Sequence, residues 1–326
     1  MQIDGTLWAV TLVALVAVFT LDFFLAVRKP HAVSMREASL WTAFYVAAAI
    51  AFGLFIAAEF GGQYAGQFYA GWLTEYSLSV DNLFVFVIIM SRFRVPRQSQ
   101  QFVLLVGIAL ALVMRAGFIV LGAAAITRYS WVFYIFGAFL IYTAYNLARH
   151  DEEKSGEFRE NRVIGWVRAV LPTTEQYDGN NLRTVVDGRR LFTPMLVVMV
   201  AIGTTDLLFA LDSIPAIFGL TKEPYLVFTA NAFALMGLRQ LYFLLGGLLD
   251  RLVFLSIGLA VVLGFIGVKL ILEALHTNSL PFINGGEPVP WAPEIPVTVS
   301  LGVIVTVLVV TAVASLAHTR STGGTN

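Results

Sequence analysis

Two short stretches of the chain repeat one pattern, in which an acidic residue is followed six positions later by an aspartate and then by a small polar residue. The two stretches supply, in chain order, Glu75, Asp81, Asn82, Asp206, Asp212 and Ser213. Carboxylate, amide and hydroxyl oxygens are hard ligands, which suit Mn²⁺, Mg²⁺ or Ca²⁺ better than Cu or Zn. The pattern therefore predicts a site for a hard divalent cation. Its expected ligands are the two aspartates and the polar residues after them, with the two preceding acids beside the site.

These acids lie inside long apolar runs, together with Asp22, Arg115, Arg239 and Lys269. An ionisable group at the centre of a membrane span costs about 3 kcal/mol or more and usually serves a function. The alternative is structural, since an intramembrane aspartate can pair with Arg115, Arg239 or Lys269 and hold the helices together. Asp22 lies near Arg28, so an interfacial role is an equal alternative for it. We expect these four residues to act in gating or charge pairing.

The composition of the chain is that of a membrane protein. Of its 326 residues, 58% are hydrophobic and 13% are charged, and the mean hydropathy is +0.79. Soluble domains carry about 25% charged residues, and the apolar blocks here approach the roughly 20 residues that span a bilayer. The composition excludes a cytosolic enzyme and a nucleic-acid-binding module. The chain has no cysteine, which excludes thiolate catalysis and Cys-based metal sites, and no catalytic motif indicates an enzyme.

The apolar blocks predict an all-α polytopic bundle of about nine transmembrane helices in a single domain, residues 1–326. The predicted spans are 7–27, 40–58, 72–90, 102–126, 130–148, 193–220, 225–247, 252–275 and 297–317. The segment before the first span contains Asp4 and no basic residue. We therefore expect the first span to be retained rather than cleaved as a signal peptide.

Lysine and arginine are concentrated in every second loop. The loops after spans one, three, five, seven and nine carry them, whereas the opposite loops hold only Arg128 and Lys222. Cytoplasmic loops collect basic residues, so nine spans place the N-terminus outside and the C-terminus in the cytoplasm. The long loop 149–192 is then cytoplasmic. The Asp187-Gly188 pair between β-prone runs predicts a small hairpin there, with an irregular linker as the alternative.

Spans three to five resemble spans six to eight. Besides the acidic motifs, Arg115 precedes Gly122 by seven residues and Arg239 precedes Gly246 by seven. Two units of three spans enter the membrane from opposite sides, so the pattern predicts an inverted-topology repeat, as in many secondary transporters. Residues six apart lie about 240° apart on a regular helix, so the acids of one motif converge better if the helix is broken. Pro215, which closely follows the second motif, predicts such a break.

At these motifs the sequence resembles the TerC family of bacterial integral membrane proteins. The resemblance extends over nearly the whole chain and is carried by residues 77–84 (SLSVDNLF), 113–115 (VMR), 136–142 (FGAFLIY), 211–218 (LDSIPAIF), 237–245 (GLRQLYFLL) and 267–269 (GVK). It implies a multi-pass protein of the bacterial plasma membrane, linked to tellurium resistance by family name, implicated in manganese export and similar to LysE-like exporters. The implied metal-site residues are Asp81, Asn82, Asp212 and Ser213, with Glu75 and Asp206 beside them. In one departure, Gly203 stands where the family pattern often has an acid, which bears on ion selectivity or coupling.

We therefore hypothesise an exporter of divalent cations, with Mn²⁺ as the transported ion and no permanently bound cofactor. Glu75 and Asp206 are the candidates for proton coupling, and Lys269 or Arg239 is expected to occupy the site when metal is absent. One alternative is export of an anion, such as a tellurium oxyanion or a carboxylate, bound by Arg115 and the other two cations. Another is a scaffold that binds membrane or cytoplasmic protein partners through its basic loop. The lipid bilayer is an expected partner and nucleic acid is not.

Overall fold

The computed structural model describes residues 3–28, 34–129, 131–149, 171–186, 188–245 and 254–322. Within these ranges the description leaves out the side chains of Phe23, Asp81, Phe84, Leu245 and residues 25–28 and 320–322. The described part is a bundle of α-helices with one small β-hairpin. The predicted all-α polytopic fold is therefore confirmed.

Ten α-helices and two strands follow one another along the described ranges. They are α1 (Gly5–Arg28), α2 (Met35–Phe60), α3 (Gly62–Arg92), α4 (Arg97–Arg128), α5 (Val132–Arg149), β1 (Arg183–Val186), β2 (Arg189–Phe192), α6 (Pro194–Phe218), α7 (Pro224–Met236), α8 (Leu238–Leu245), α9 (Leu255–His276) and α10 (Val297–Thr322). Eight of these helices, α1 to α6 with α9 and α10, are long and apolar enough to cross a membrane. Large apolar side chains such as Val13, Val113 and Val309 are more than half exposed on their outer faces, as lipid contact requires.

The seventh predicted span, 225–247, is divided into two shorter helices, α7 and α8. The division falls at Gly237, whose N–H group bonds back to the carbonyl of Leu235 rather than to a residue four positions earlier. A β-carbon at position 237 would lie 3.4 Å from Cε2 of Tyr76, an ordinary van der Waals distance, so packing alone does not require the glycine. The helix is thus interrupted two residues before Arg239.

Pro215 does not break its helix, so that prediction is wrong. Helix α6 is continuous from Pro194 to Phe218 and ends three residues after the proline. The missing N–H of Pro215 removes one backbone hydrogen bond, and the helix continues past it for three residues. The N–H of Gly219 then donates to the Pro215 carbonyl at 3.0 Å and closes the turn. Both acids of the second motif therefore lie on one unbroken helix.

Helix α3 lies at the centre of the bundle and contacts α2, α6, α7 and α10. Three apolar clusters fill the spaces between the helices, and they include the pairs Leu83 and Ile202, Ile214 and Ile266, and Phe68 and Tyr225. Lipid is as apolar as these side chains, so close packing and polar contacts rather than hydrophobic burial hold such helices together. The polar contacts around α3 therefore bear on both stability and function.

Helices α5 and α9 cross in direct backbone contact, and the crossing is reciprocal. A β-carbon at Gly137 would lie 2.8 Å from the carbonyl oxygen of Gly267, and a β-carbon at Gly267 would lie 3.0 Å from the carbonyl oxygen of Gly137. Small residues allow this kind of close approach in membranes. The two glycines lie on the third helix of each predicted repeat unit, where an axis of pseudo-symmetry would pair them.

We expect Gly267→Ala to destabilise the bundle by about 1–3 kcal/mol, because the new methyl group meets backbone that cannot move without separating α5 from α9. Gly264→Ala is the matched control, one turn earlier on the same helix, where a β-carbon would lie 3.7 Å from Cβ of Ala144. The control should be neutral or gain up to about 1 kcal/mol from helix propensity. Thermal unfolding in detergent measures both. Equal midpoints for the two variants would contradict the close crossing.

The hairpin expected around Asp187-Gly188 is present. Strands β1 and β2 pair antiparallel, with Arg183 opposite Phe192 and Val186 opposite Arg189, and Gly188 has a φ of 74°. The segment before the hairpin is tied to the bundle, since the Tyr177 hydroxyl donates to the Phe93 carbonyl at 2.7 Å, at the end of α3. Burial raises the pKa of the Tyr177 phenol to about 12. The hydroxyl therefore stays protonated and able to donate at any physiological pH.

Candidate functional site

The side chain of Arg115, on α4, is completely buried and joins the two acidic motifs. Its Nε and Nη2 groups donate to Oδ2 and Oδ1 of Asp206, each at 3.3 Å, and its Nη1 donates to Oγ of Ser213 at 3.2 Å. The same Nη1 forms an ion pair with Oε1 of Glu75. Glu75 and Asp206 are 0% and 2% exposed. One guanidinium thus contacts an acid of the first motif and both an acid and the hydroxyl of the second.

The three charged residues lie at similar depth because each is near the middle of a long helix. Helix α3 begins at Gly62 rather than at residue 72, which moves its centre towards Glu75 and away from Asp81. Asp206 lies at the centre of α6, and Arg115 lies just past the centre of α4. Each helix exceeds the roughly 20 residues that cross the hydrocarbon core, so the cluster is expected near its middle.

Two glycines bring α4 and α6 close enough for this contact. A β-carbon at Gly107 would lie 2.9 Å from Cγ2 of Ile202, and one at Gly203 would lie 2.6 Å from Cδ2 of Leu110. Gly203 is the position at which the family pattern often has an acid. Any side chain at 203 would displace the end of the Leu110 side chain. The glycine that stands here in place of an acid therefore lets α4 and α6 pack closely one turn before Asp206.

The electrostatics of the cluster are unbalanced. With both acids ionised, two negative charges face one positive charge in a region that water does not reach, and isolated buried charge is costly. Both oxygens of Glu75 are buried, and neither accepts a hydrogen bond of normal geometry from the described residues. Glu75 therefore depends on the charge of Arg115, whereas Asp206 is held by two hydrogen bonds.

Three further predicted ligands are Asp81, Asn82 and Asp212. The backbone of Asp81 belongs to α3, but its side chain lies outside the described part. Asn82 is buried and Asp212 is half-buried, with an interaction of its own. Within the described residues no three His, Cys, Asp or Glu side chains lie close enough together to hold a metal ion. The structure thus brings together Glu75, Asp206 and Ser213, with a cation already between them.

Arg239 is placed differently from its predicted repeat partner. Its Nη2 donates to Oδ1 of Asp22 at 2.5 Å, and both side chains are almost fully buried. Tyr45, on α2, lines the same small pocket as Asp22. The sequence predicted charge pairing for Asp22 and Arg239, but it contained no signal that singled out Tyr45 among the many aromatic residues of these spans. The ion pair ties α1 to α8.

Lys269 lies beside a separate polar cavity. Its Nζ donates to Oγ of Ser300 at 3.1 Å. The cavity has a volume of about 790 Å³ and is also lined by Glu294 and by Lys222 and Glu273, whose side chains pair at 2.5 Å. The expectation that Lys269 or Arg239 occupies the site between the motifs is therefore wrong, because each is bonded elsewhere and Arg115 is the cation in that position.

Phe218 lines this cavity and packs against α4. It is 2% exposed and packs where Gly122 has no side chain, since a β-carbon there would lie 2.7 Å from its ring. Gly122 is seven residues, about two turns or 10 Å, beyond Arg115 on α4. Gly122 therefore leaves room for the Phe218 ring two turns beyond Arg115. The corresponding Gly246 lies outside the described residues.

Comparison with known proteins gives consistent matches along the chain. The family described as "Integral membrane protein TerC family" matches residues 60–323. An uncharacterized membrane protein of Mycobacterium tuberculosis is 51% identical, covering 98% of this chain and 81% of its own length. The "Putative membrane-bound redox modulator Alx" of Escherichia coli is 34% identical over 98% of both chains. No solved structure matches this sequence.

Proposed function

This chain belongs to the TerC family of integral membrane proteins, and from that premise we propose that it is a transporter of divalent metal cations. The expected substrate is Mn²⁺, which prefers oxygen ligands of the kind the two motifs supply. The direction we propose is export from the cytoplasm. Metal homeostasis and tellurium resistance are the cellular roles that accord with the family name.

One observation carries the proposal. Glu75 and Asp206, from the two acidic motifs, meet on one buried cation near the middle of α3, α4 and α6. Two carboxylates there balance the charge of a divalent ion in a region of low dielectric. Asp81, Asn82, Asp212 and Ser213 are the additional oxygen ligands we propose, since they follow these acids within two turns of the same helices.

Transport by alternating access needs two bundles that can rock around a fixed site. The reciprocal contact between Gly137 and Gly267 supports two bundles of this kind, because a symmetric crossing is expected where two related bundles meet. The interruption at Gly237 supports it as well, since broken helices are common beside transported ions. Glu75 and Asp206 are the proposed sites of proton coupling, because protonation of either would weaken ion binding.

The alternatives find less support in the contacts. An anion carrier needs cations available to its substrate, but Arg115 is bonded to Asp206 and Glu75, and Arg239 is bonded to Asp22. A scaffold would act through the loop 149–192, which contains the described hairpin. The name of the Escherichia coli relative refers to redox modulation. This chain has no cysteine, so such a role here would not use its own thiols.

The test is ion flux in liposomes that contain the purified protein, with and without a pH gradient. We expect Mn²⁺ to move well above the rate of protein-free liposomes, and neither tellurite nor an amino acid to move. Deletion of the hairpin, residues 183–192, should leave the flux in place. If correctly folded protein moves tellurite and no divalent cation, the anion carrier is favoured, and if no solute moves, the scaffold is favoured.

A further inference from the structure

We propose that Arg115 is a tethered counter-ion that takes the place of the transported cation between Glu75 and Asp206, so that guanidinium and metal ion bind the same oxygens in alternation. The inference rests on the proposed function and extends it. It states how the site is neutralised when no ion is bound, and it assigns that role to one residue.

The contacts of the guanidinium are the contacts proposed for the ion. All three nitrogens of the Arg115 head group are engaged, with Nε and Nη2 on the Asp206 carboxylate and Nη1 on Ser213 and Glu75. Each of these partners offers an oxygen atom of an acidic motif, which accepts from Arg115 and could equally bind a metal ion. A metal ion that uses these oxygens must come within about 2.0–2.6 Å of them, which is the space the guanidinium fills.

Burial explains why a substitute is needed. Two carboxylates at 0% and 2% exposure cannot remain ionised without a positive charge close by. When an ion leaves, a cation must replace it or the carboxylates must take up protons. Arg115 lies on a neighbouring helix with a long side chain, so it can supply the charge without leaving the protein.

No other described cation holds this position. Arg239, its counterpart in the predicted repeat, donates to Asp22 at 2.5 Å, and Lys269 donates to Ser300 at 3.1 Å. The two arginines are thus both buried and both paired with acids, and among the contacts given for the described side chains those with the acidic motifs are made by Arg115. Arg239 therefore provides a matched control for any effect of removing a buried positive charge.

Competition of this kind makes a specific prediction for affinity. An ion that binds only while Arg115 is withdrawn has an apparent affinity reduced by the fraction of time the site is open. Removing the guanidinium should therefore tighten Mn²⁺ binding, while it slows release and lowers the maximal flux. Damage to the structure alone would weaken binding, so the direction of the change separates the two roles.

The experiment measures Mn²⁺ binding to the purified full-length protein by the electron paramagnetic resonance signal of the free ion. In Arg115→Gln the apparent Kd should fall by about tenfold or more, and in Arg115→Lys, which keeps one charge but loses the forked contact, it should fall by less. The double variant Asp22→Asn/Arg239→Gln is the control and should bind as the wild type does. If Arg115→Gln does not fold, Arg115→Lys decides alone.

Two results would overturn the inference in distinguishable ways. If Glu75→Gln abolishes Mn²⁺ binding but both Arg115 variants bind no more tightly than the wild type, the transport site stands and the tethered counter-ion is wrong. If the wild type neither binds nor transports Mn²⁺, the proposed function fails and this inference fails with it. Tighter binding in the Arg115 variants and an unchanged Kd in the control would support both.

Discussion

Glu75→Gln and Asp206→Asn should each lower Mn²⁺ flux by about 100-fold or more. Each variant removes one of the buried carboxylates proposed to face the ion, and losing one partner of a buried charge contact costs about 2–5 kcal/mol. Because about 1.4 kcal/mol corresponds to a factor of ten, this loss predicts the size of the effect. Asp81→Asn and Asp212→Asn are expected to fail as well, since they supply the remaining charged ligands in the proposed site.

The control for these variants is Glu59→Gln, which neutralises an exposed carboxylate near the end of α2 and should transport normally. Flux is measured in liposomes with equal amounts of folded protein, judged by a single symmetric peak in size-exclusion chromatography. Retained flux in Glu75→Gln and Asp206→Asn would remove these residues from the ion site. Retained flux in Asp81→Asn and Asp212→Asn alone would confine the site to the Arg115 cluster.

The helices could be predicted from the sequence because a membrane span depends on the composition of one contiguous segment. Eight of the nine predicted spans are single long helices. The seventh span, 225–247, does not form one helix because a backbone interruption depends on local hydrogen bonding, as at Gly237. Pro215 looked like the better breaker, but helix α6 continues past it to Phe218.

The partners of the charges could not be predicted in the same way. Spacing indicated that Glu75 and Asp206 were related, but it did not indicate that Arg115, 40 and 91 residues away, would lie between them. That contact depends on how closely α4 and α6 pack, which Gly107 and Gly203 allow. The choice of Lys269 or Arg239 as the substitute cation was wrong because it assumed that α8 or α9, rather than α4, would face the acidic motifs.

Arg115→Met should destabilise the protein by about 3–5 kcal/mol, because it leaves the buried carboxylates of Glu75 and Asp206 without a positive charge. The triple variant Arg115→Met/Glu75→Met/Asp206→Leu removes all three charges and puts apolar side chains of similar size in their place. It should recover most of the lost stability, since replacing a buried ion cluster by well-packed apolar groups of similar volume is often close to neutral. Thermal unfolding in metal-free detergent solution, followed by tryptophan fluorescence, measures the three proteins side by side.

The comparison separates two reasons for placing this cluster inside a membrane. If the charges serve only to hold α3, α4 and α6 together, the triple variant should remain well below the wild type in stability, because the directed hydrogen bonds to Asp206 are lost in it as in Arg115→Met. If the charges are present for an ion, the triple variant should fold almost as well as the wild type and yet move no Mn²⁺. A neutral cluster that is stable but inactive would show that the buried charges contribute to transport rather than to the fold.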